Sequence, residues 1–132
     1  WDEFEEINFV QVPRNVNISY DEFTGYQPII GTVTTITGDN IYGEIIYDLD
    51  ERYSLELLDG VIDDIEHRYP FYNVRSVEPK NREESLVELK NGDRLLLSDK
   101  VDVTRENDGV LVFTGDDYNY IPWNQVEFLK FD

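Results

Sequence analysis

Residues 33–40 read VTTITGDN, and residues 87–94 read VELKNGDR, 54 positions later. At the same offset Asp48 falls on Asp102 and Leu57 on Leu111, and at an offset of 52 the stretch PFYNVRSV from Pro70 meets PWNQVEFL from Pro122. One small deletion reconciles the two offsets. Self-similarity at a period of about 50 residues is the mark of a supersecondary unit used twice. A unit of that size buries little surface alone, so the two copies are expected to share a core.

Within each copy the hydrophobic period is two. In LVELKNGDRLLL, Leu86, Glu88 and Lys90 alternate with Val87 and Leu89 before the chain reaches Asn91-Gly92. An Asn-Gly pair between alternating runs is a strong hairpin signal. Gly, Asn and Asp cluster again at residues 37–40, 59–60, 107–109 and 115–117. Strands between such turns are short and numerous, and no segment carries a sustained helical stripe. The expectation is an all-β protein built as two tandem, mutually packed small barrels of the SH3 or Sm type, or else one joint β-barrel or sandwich. Residues 1–27 form an acidic lead-in, 28–79 the first copy and 80–132 the second. The lead-in suggests strands over 7–12 and 16–20, and Ser19 to Glu22 has capping-box spacing ahead of Pro28.

Charge limits the partners. Twenty-nine acids against 11 bases leave a net charge of −18 over 132 residues. Such a surface repels phosphate backbones and anionic headgroups, which makes nucleic acid and membrane surfaces poor candidate partners, with no nucleic acid and no membrane insertion expected. It leaves cations, basic proteins and neutral sugars. Without cysteine there are no disulfides and no thiolate metal sites. No apolar run approaches the roughly 18–20 residues that span a bilayer. With no methionine and a first residue Trp1, the chain reads as processed or trimmed.

The acids cluster in loops. Asp48, Asp50 and Glu51 take positions 1, 3 and 4 of YDLDERYSLELLDG, a spacing that can begin a calcium shell of six to eight oxygens. An EF-hand needs Gly at position 6 and Glu at position 12; here those are Tyr53 and Asp59, so that motif fails. The second copy keeps Asp102 but has Thr104 where the first has Asp50, which argues against one metal site per copy. Asp59, Asp63, Asp64 and Glu66 form a second acidic group whose counterpart holds Asp116 and Asp117. Calcium is thus the one candidate cofactor, at Asp48, Asp50, Asp59, Asp63 and Asp64. The plainer reading is solvated turns that keep strand edges apart.

A glycosidase would use two carboxylates about 5–10 Å apart, and nothing marks one pair among so many acids. His67 is the only histidine, no nucleophile sits in an elbow motif, and no Walker loop, dinucleotide fingerprint or HExxH occurs, so the chain is not read as an enzyme. Asn17-Ile18-Ser19 is a glycosylation sequon, relevant only in a eukaryotic secretory route. The aromatic-rich DDYNYIPW places Tyr118, Tyr120 and Pro122 on one face and Ile121 and Trp123 on the other. Tyr118, Tyr120, Trp123 and Tyr72 are the candidate contacts for a peptide or a sugar ring.

Taken together, the Gly-Asp turn, G-x-I-x-Y-D-x-D-E, LDG, PF-x-x-V-x-S-V-E-P and SLVELKNGDRLLLS resemble a recurrent uncharacterised domain of exported bacterial proteins, over about residues 28–131. The resemblance implies a fold and a periplasmic or extracellular location, and no activity. Each copy also resembles an Sm-like or SH3-like small barrel through its Gly-Asp turn, a second strand bent at Gly43 and a Pro-aromatic strand. It departs from RNA-binding Sm proteins in being acidic where they are basic. The functional expectation is a non-catalytic interaction or structural module that binds a protein or peptide through a sheet edge or an aromatic groove. The alternative is a calcium- or carbohydrate-binding β module.

Overall fold

The computed structural model describes residues 27–132; the strands and capping box expected at 7–12, 16–20 and Ser19 lie outside the described residues. Ten strands follow: β1 (Ile29–Thr35), β2 (Asn40–Tyr47), β3 (Leu57–Ile62), β4 (Ile65–Pro70), β5 (Val74–Pro79), β6 (Glu84–Leu89), β7 (Arg94–Ser98), β8 (Val110–Thr114), β9 (Asp117–Ile121) and β10 (Val126–Phe131). Three single 3₁₀ turns interrupt them, at Phe71–Asn73, Val101–Val103 and Trp123–Gln125. Among the described residues the protein is all-β, and every strand pairing is antiparallel.

Local chemistry accounts for the hairpins. In the β6–β7 turn the Leu89 N–H donates to the Asp93 carbonyl, and Gly92 takes φ of +100°. That is a three-residue loop, a tight turn followed by a left-handed glycine, rather than the two-residue turn that Asn-Gly most often makes. The β1–β2 turn repeats it, with Thr35 bonded to Asp39 and Gly38 at φ +94°. Between β3 and β4 the two central residues are Asp63 and Asp64, both with positive φ. Aspartate tolerates that region better than most side chains.

Alternation sets the faces. Ile29, Gly31, Val33 and Thr35 of β1 point inward, as do Val87 and Leu89 of β6. Residues 52–56 form a turn in which Glu56 Oε2 accepts the N–H of Arg52 and of Tyr53. The strand begins only at Leu57.

The strands form one unclosed sheet in the order β4-β3-β7-β6-β5-β10-β1-β2-β8-β9. This order reads the same from both ends once β1–β5 are exchanged for β6–β10. Its centre is the β5–β10 pair, where Val77 faces Leu129. Consequently the β3–β4 hairpin pairs with β7 rather than β2, and the β8–β9 hairpin pairs with β2 rather than β7. Gly43 makes the β2–β8 crossing possible, since a Cβ there would stand 1.9 Å from the Phe113 carbonyl oxygen.

One hydrophobic core runs through both halves. At its centre Tyr47 lies against Phe71, with ring centroids 5.1 Å apart, and edge-on to Trp123 at 5.7 Å. Phe71 and Trp123 are the aromatics of the two Pro-aromatic motifs, each opening a 3₁₀ turn after its proline.

Candidate functional site

The loop after β2 turns tightly. The N–H groups of Asp50 and Glu51 donate to the Tyr47 carbonyl, and the Tyr47 N–H donates to the Glu51 carbonyl. Asp48 and Leu49 both sit at positive φ, 55° and 58°. Non-glycine residues held there cost free energy, about 1 kcal/mol or more each, that the surroundings must offset.

The loop after β7 closes over it. Asp102 begins that loop from a 3₁₀ turn and is more than nine-tenths buried. Its carbonyl accepts the Tyr47 hydroxyl at 2.6 Å and the Asn107 side-chain amide at 3.0 Å. Its Oδ2 accepts the Asp59 N–H. In return Asp48 Oδ1 accepts the Asp108 N–H at 2.6 Å, and Asn107 Oδ1 accepts the Gly109 N–H.

This stapling brings a carboxylate oxygen each of Asp48, Glu51 and Asp102 within 4.8 Å of one another. Among the described residues, no lysine, arginine or histidine forms an ion pair with any of the three. Arg52, the nearby base in sequence, lies over the Tyr53 ring instead. Glu51 Oε1 and Asp59 Oδ1 are buried without a hydrogen-bond partner. Asp59 has only an ion-pair contact to Arg68 Nε at 3.7 Å.

The electrostatics follow. Burial, then the neighbouring Asp102, push the Glu51 carboxyl up to about 9. Burial is also the main cause for Asp102, raised to about 6, and it outweighs the hydrogen bond from the Asp59 N–H. Asp48 is raised by burial as well. Asp50, its neighbour in the loop, adds to the upward push on Glu51. Tyr47, fully buried beside these acids, is raised well above the usual phenol range.

Of the residues expected to bind metal, Asp48 is in the cluster, Asp50 touches it through Glu51, and Asp59 abuts it through its backbone. Asp63 and Asp64 do not join it; they are the exposed tip of the β3–β4 turn. Glu51 and Asp102 complete the cluster. Their signals were in the sequence: Glu51 in the same loop, Asp102 at the offset that maps it onto Asp48.

Tyr118 and Tyr120 project outward from β9, 66% and 51% exposed. Trp123, expected beside them as a ligand contact, faces the core at 6%, on the side of Ile121 that the alternation places opposite the tyrosines. Tyr72 stands elsewhere, half-exposed on a cleft of about 380 Å³ with Pro28, Phe71, Lys90 and Phe131. A basic cleft of about 460 Å³ is lined by Lys80, Arg82, Arg105 and Trp123.

Compared with protein-family models, with curated proteins and with solved structures, the chain matches none. No helix among the described residues is long and apolar enough to cross a membrane.

Proposed function

We propose that the protein is a non-catalytic β module that binds one divalent cation, calcium before magnesium, between the loops that follow β2 and β7. The observation that carries this reading is the convergence of Asp48, Glu51 and Asp102 with a buried, unpartnered Glu51 oxygen and, among the described residues, no basic side chain paired with them. Buried carboxylates without a counter-charge either hold protons or hold a cation. An all-oxygen donor set suits hard cations, not zinc. Calcium accepts irregular shells of six to eight oxygens, whereas magnesium needs near-octahedral geometry.

The fold reading that goes with it is two small barrel-like units that have exchanged their third and fourth strands. It is supported by the recurrent element order and by the pairing of β3 with β7 and β2 with β8. On this reading the cation lies where the two units meet. Export, as periplasmic or extracellular protein, rests on the family resemblance. Binding of a protein or peptide at a sheet edge is the second reading, favoured by the exposure of Tyr118 and Tyr120 on β9.

Thermal melts at pH 8 and constant ionic strength, with chelator, with calcium and with equal magnesium, test the cation reading. Ligand that binds only the native state stabilises it by RT ln(1 + [L]/Kd). A rise of several degrees with calcium, well above that with magnesium, is expected. No rise, or equal small rises reflecting general screening of the −18 charge, would overturn it.

A further inference from the structure

The unclosed sheet leaves two edges among the described residues, β4 and β9, and they are counterparts in the element order. Each belongs to a hairpin closed by two residues, Asp63-Asp64 between Ile62 and Ile65, and Gly115-Asp116 between Thr114 and Asp117. The registers run 52 residues apart, so Glu66 and Arg68 of β4 correspond to Tyr118 and Tyr120 of β9. In a two-residue hairpin the flanking residues form the hydrogen-bonded pair and bonded pairs alternate from there. The backbone N–H and C=O of Glu66, Arg68, Tyr118 and Tyr120 therefore point to the open side.

The side chains at these places differ. On β4, Arg68 pairs with Glu66 and Asp59, and Lys100 pairs with Glu66. Charges of both signs along an edge discourage strand addition. On β9 the same two places carry tyrosines. Tyr118 leans on Phe113 at 6.1 Å, and Tyr120 donates its hydroxyl to the Asp108 carbonyl, so both rings are braced. Leu111 and Phe113 continue the outer face behind them, opposite Tyr120 and Tyr118, and next to Ile46 and Glu44 of β2. The surrounding ionisable groups are acidic: Asp116 and Asp117 at the turn, Asp108 beneath Tyr120 and Glu44 beyond Phe113.

We infer that the β9 edge takes an extended, lysine- or arginine-bearing polypeptide by strand addition. The outward amides of Tyr118 and Tyr120 supply the backbone pairing, and their rings take alternate side chains of the guest. Cationic side chains gain from the tyrosine faces and from Asp116, Asp117 and Glu44. A second copy of this chain is disfavoured by the same acids and by the −18 charge that each copy carries. This inference rests on the second reading above, binding at a sheet edge, and is independent of the cation site, which lies on other loops.

The test titrates the protein with a capped peptide of about seven residues alternating lysine with valine or threonine, and with its glutamate analogue. Heat of binding is read at two salt concentrations. The variant Tyr118→Glu/Tyr120→Arg, which copies the β4 edge, is compared after its melt confirms folding. One-to-one binding of the lysine peptide, none of the glutamate peptide, and about tenfold or greater loss in the variant are expected. Equal binding to the variant, or binding that vanishes with added salt at every stoichiometry, would overturn the inference. So would a dimer in sedimentation that the variant abolishes, since the edge would then serve self-pairing. Should the variant not fold, hydrogen exchange in the unaltered protein decides. Peptide must slow exchange at Tyr118 and Tyr120 and leave Glu66 and Arg68 unchanged; protection at both edges or at neither contradicts the proposal.

Discussion

The loops that follow β2 and β7 occupy the same place in the element order and make different contributions to one site. The first supplies Asp48, Asp50 and Glu51 on a strained, tightly hydrogen-bonded turn. The second supplies a single buried carboxylate, Asp102, and then the backbone N–H of Asp108 and the bracing side chain of Asn107. Where the first loop has Glu51, the second has Arg105 at the 54-residue offset, and that side chain turns away to pair with Glu83. A repeated sequence therefore need not mean a repeated site. The pairing of β3 with β7 and of β8 with β2 carries the two loops together, and their acids then add up to one cluster.

The sharpest way to break this arrangement is to remove its brace. Asn107 is buried and bonds both the Asp102 carbonyl and the Gly109 N–H. Asn107→Ala should cost about 2–3 kcal/mol, read from the urea midpoint, because buried partners lose their bonds. An unchanged midpoint would mean that the second loop is not held as described.

Protonation gives the next largest effect. Asp48, Glu51 and Asp102 all have carboxyls raised in the folded protein, Asp102 to about 6 and Glu51 to about 9. The native state therefore holds protons that the unfolded chain releases. Their contribution is fully present below the unfolded carboxylate range of about pH 4 and is lost as pH rises through about 6 and on towards 9. Without metal, the melting temperature should fall by several degrees between pH 5 and pH 9. Glu51→Gln should recover part of that loss at pH 8 and change nothing near pH 4. Calcium, which binds the deprotonated carboxylates, should flatten the unaltered protein's profile and leave the Glu51→Gln profile nearly as it was.

Two smaller changes separate the loops further. Tyr47→Phe removes the hydroxyl bonded to the Asp102 carbonyl, which keeps the Asn107 amide as a partner, so a loss near 1 kcal/mol is expected in denaturant unfolding. Arg105→Glu copies the first loop's residue into the second and breaks only an exposed ion pair with Glu83. Stability should move by less than about 0.5 kcal/mol, and the number of calcium ions bound should not change.

Much of the fold was legible because it is local. Asn91-Gly92, the Gly-Asp turns and the alternation of Val87 and Leu89 each act over a few residues, and the hairpins they mark are present. Partner choice for β3 was not legible. β2 and β7 are counterparts with similar alternation, and only the three-dimensional course of the chain decides which one β3 meets. The cluster was legible in pieces for the same reason. Asp48 and Asp50 are visible as a loop motif, whereas Asp102 shows in the sequence only as the counterpart of Asp48, and the pairing of β3 with β7 is what sets its loop against that of Asp48. Asp63 and Asp64 drew attention by their charge, but their positive φ marks a turn requirement. Trp123 followed its alternation into the core while Tyr118 and Tyr120 followed theirs outward.

The most direct test of the central claim is equilibrium dialysis of chelator-stripped protein against calcium at pH 8, beside Asp48→Asn and Asp102→Asn variants that melt cooperatively. One saturable ion per chain, lost in both variants although their residues come from different copies, is the predicted result. No saturable binding, or several weak sites indifferent to both substitutions, would contradict the composite site.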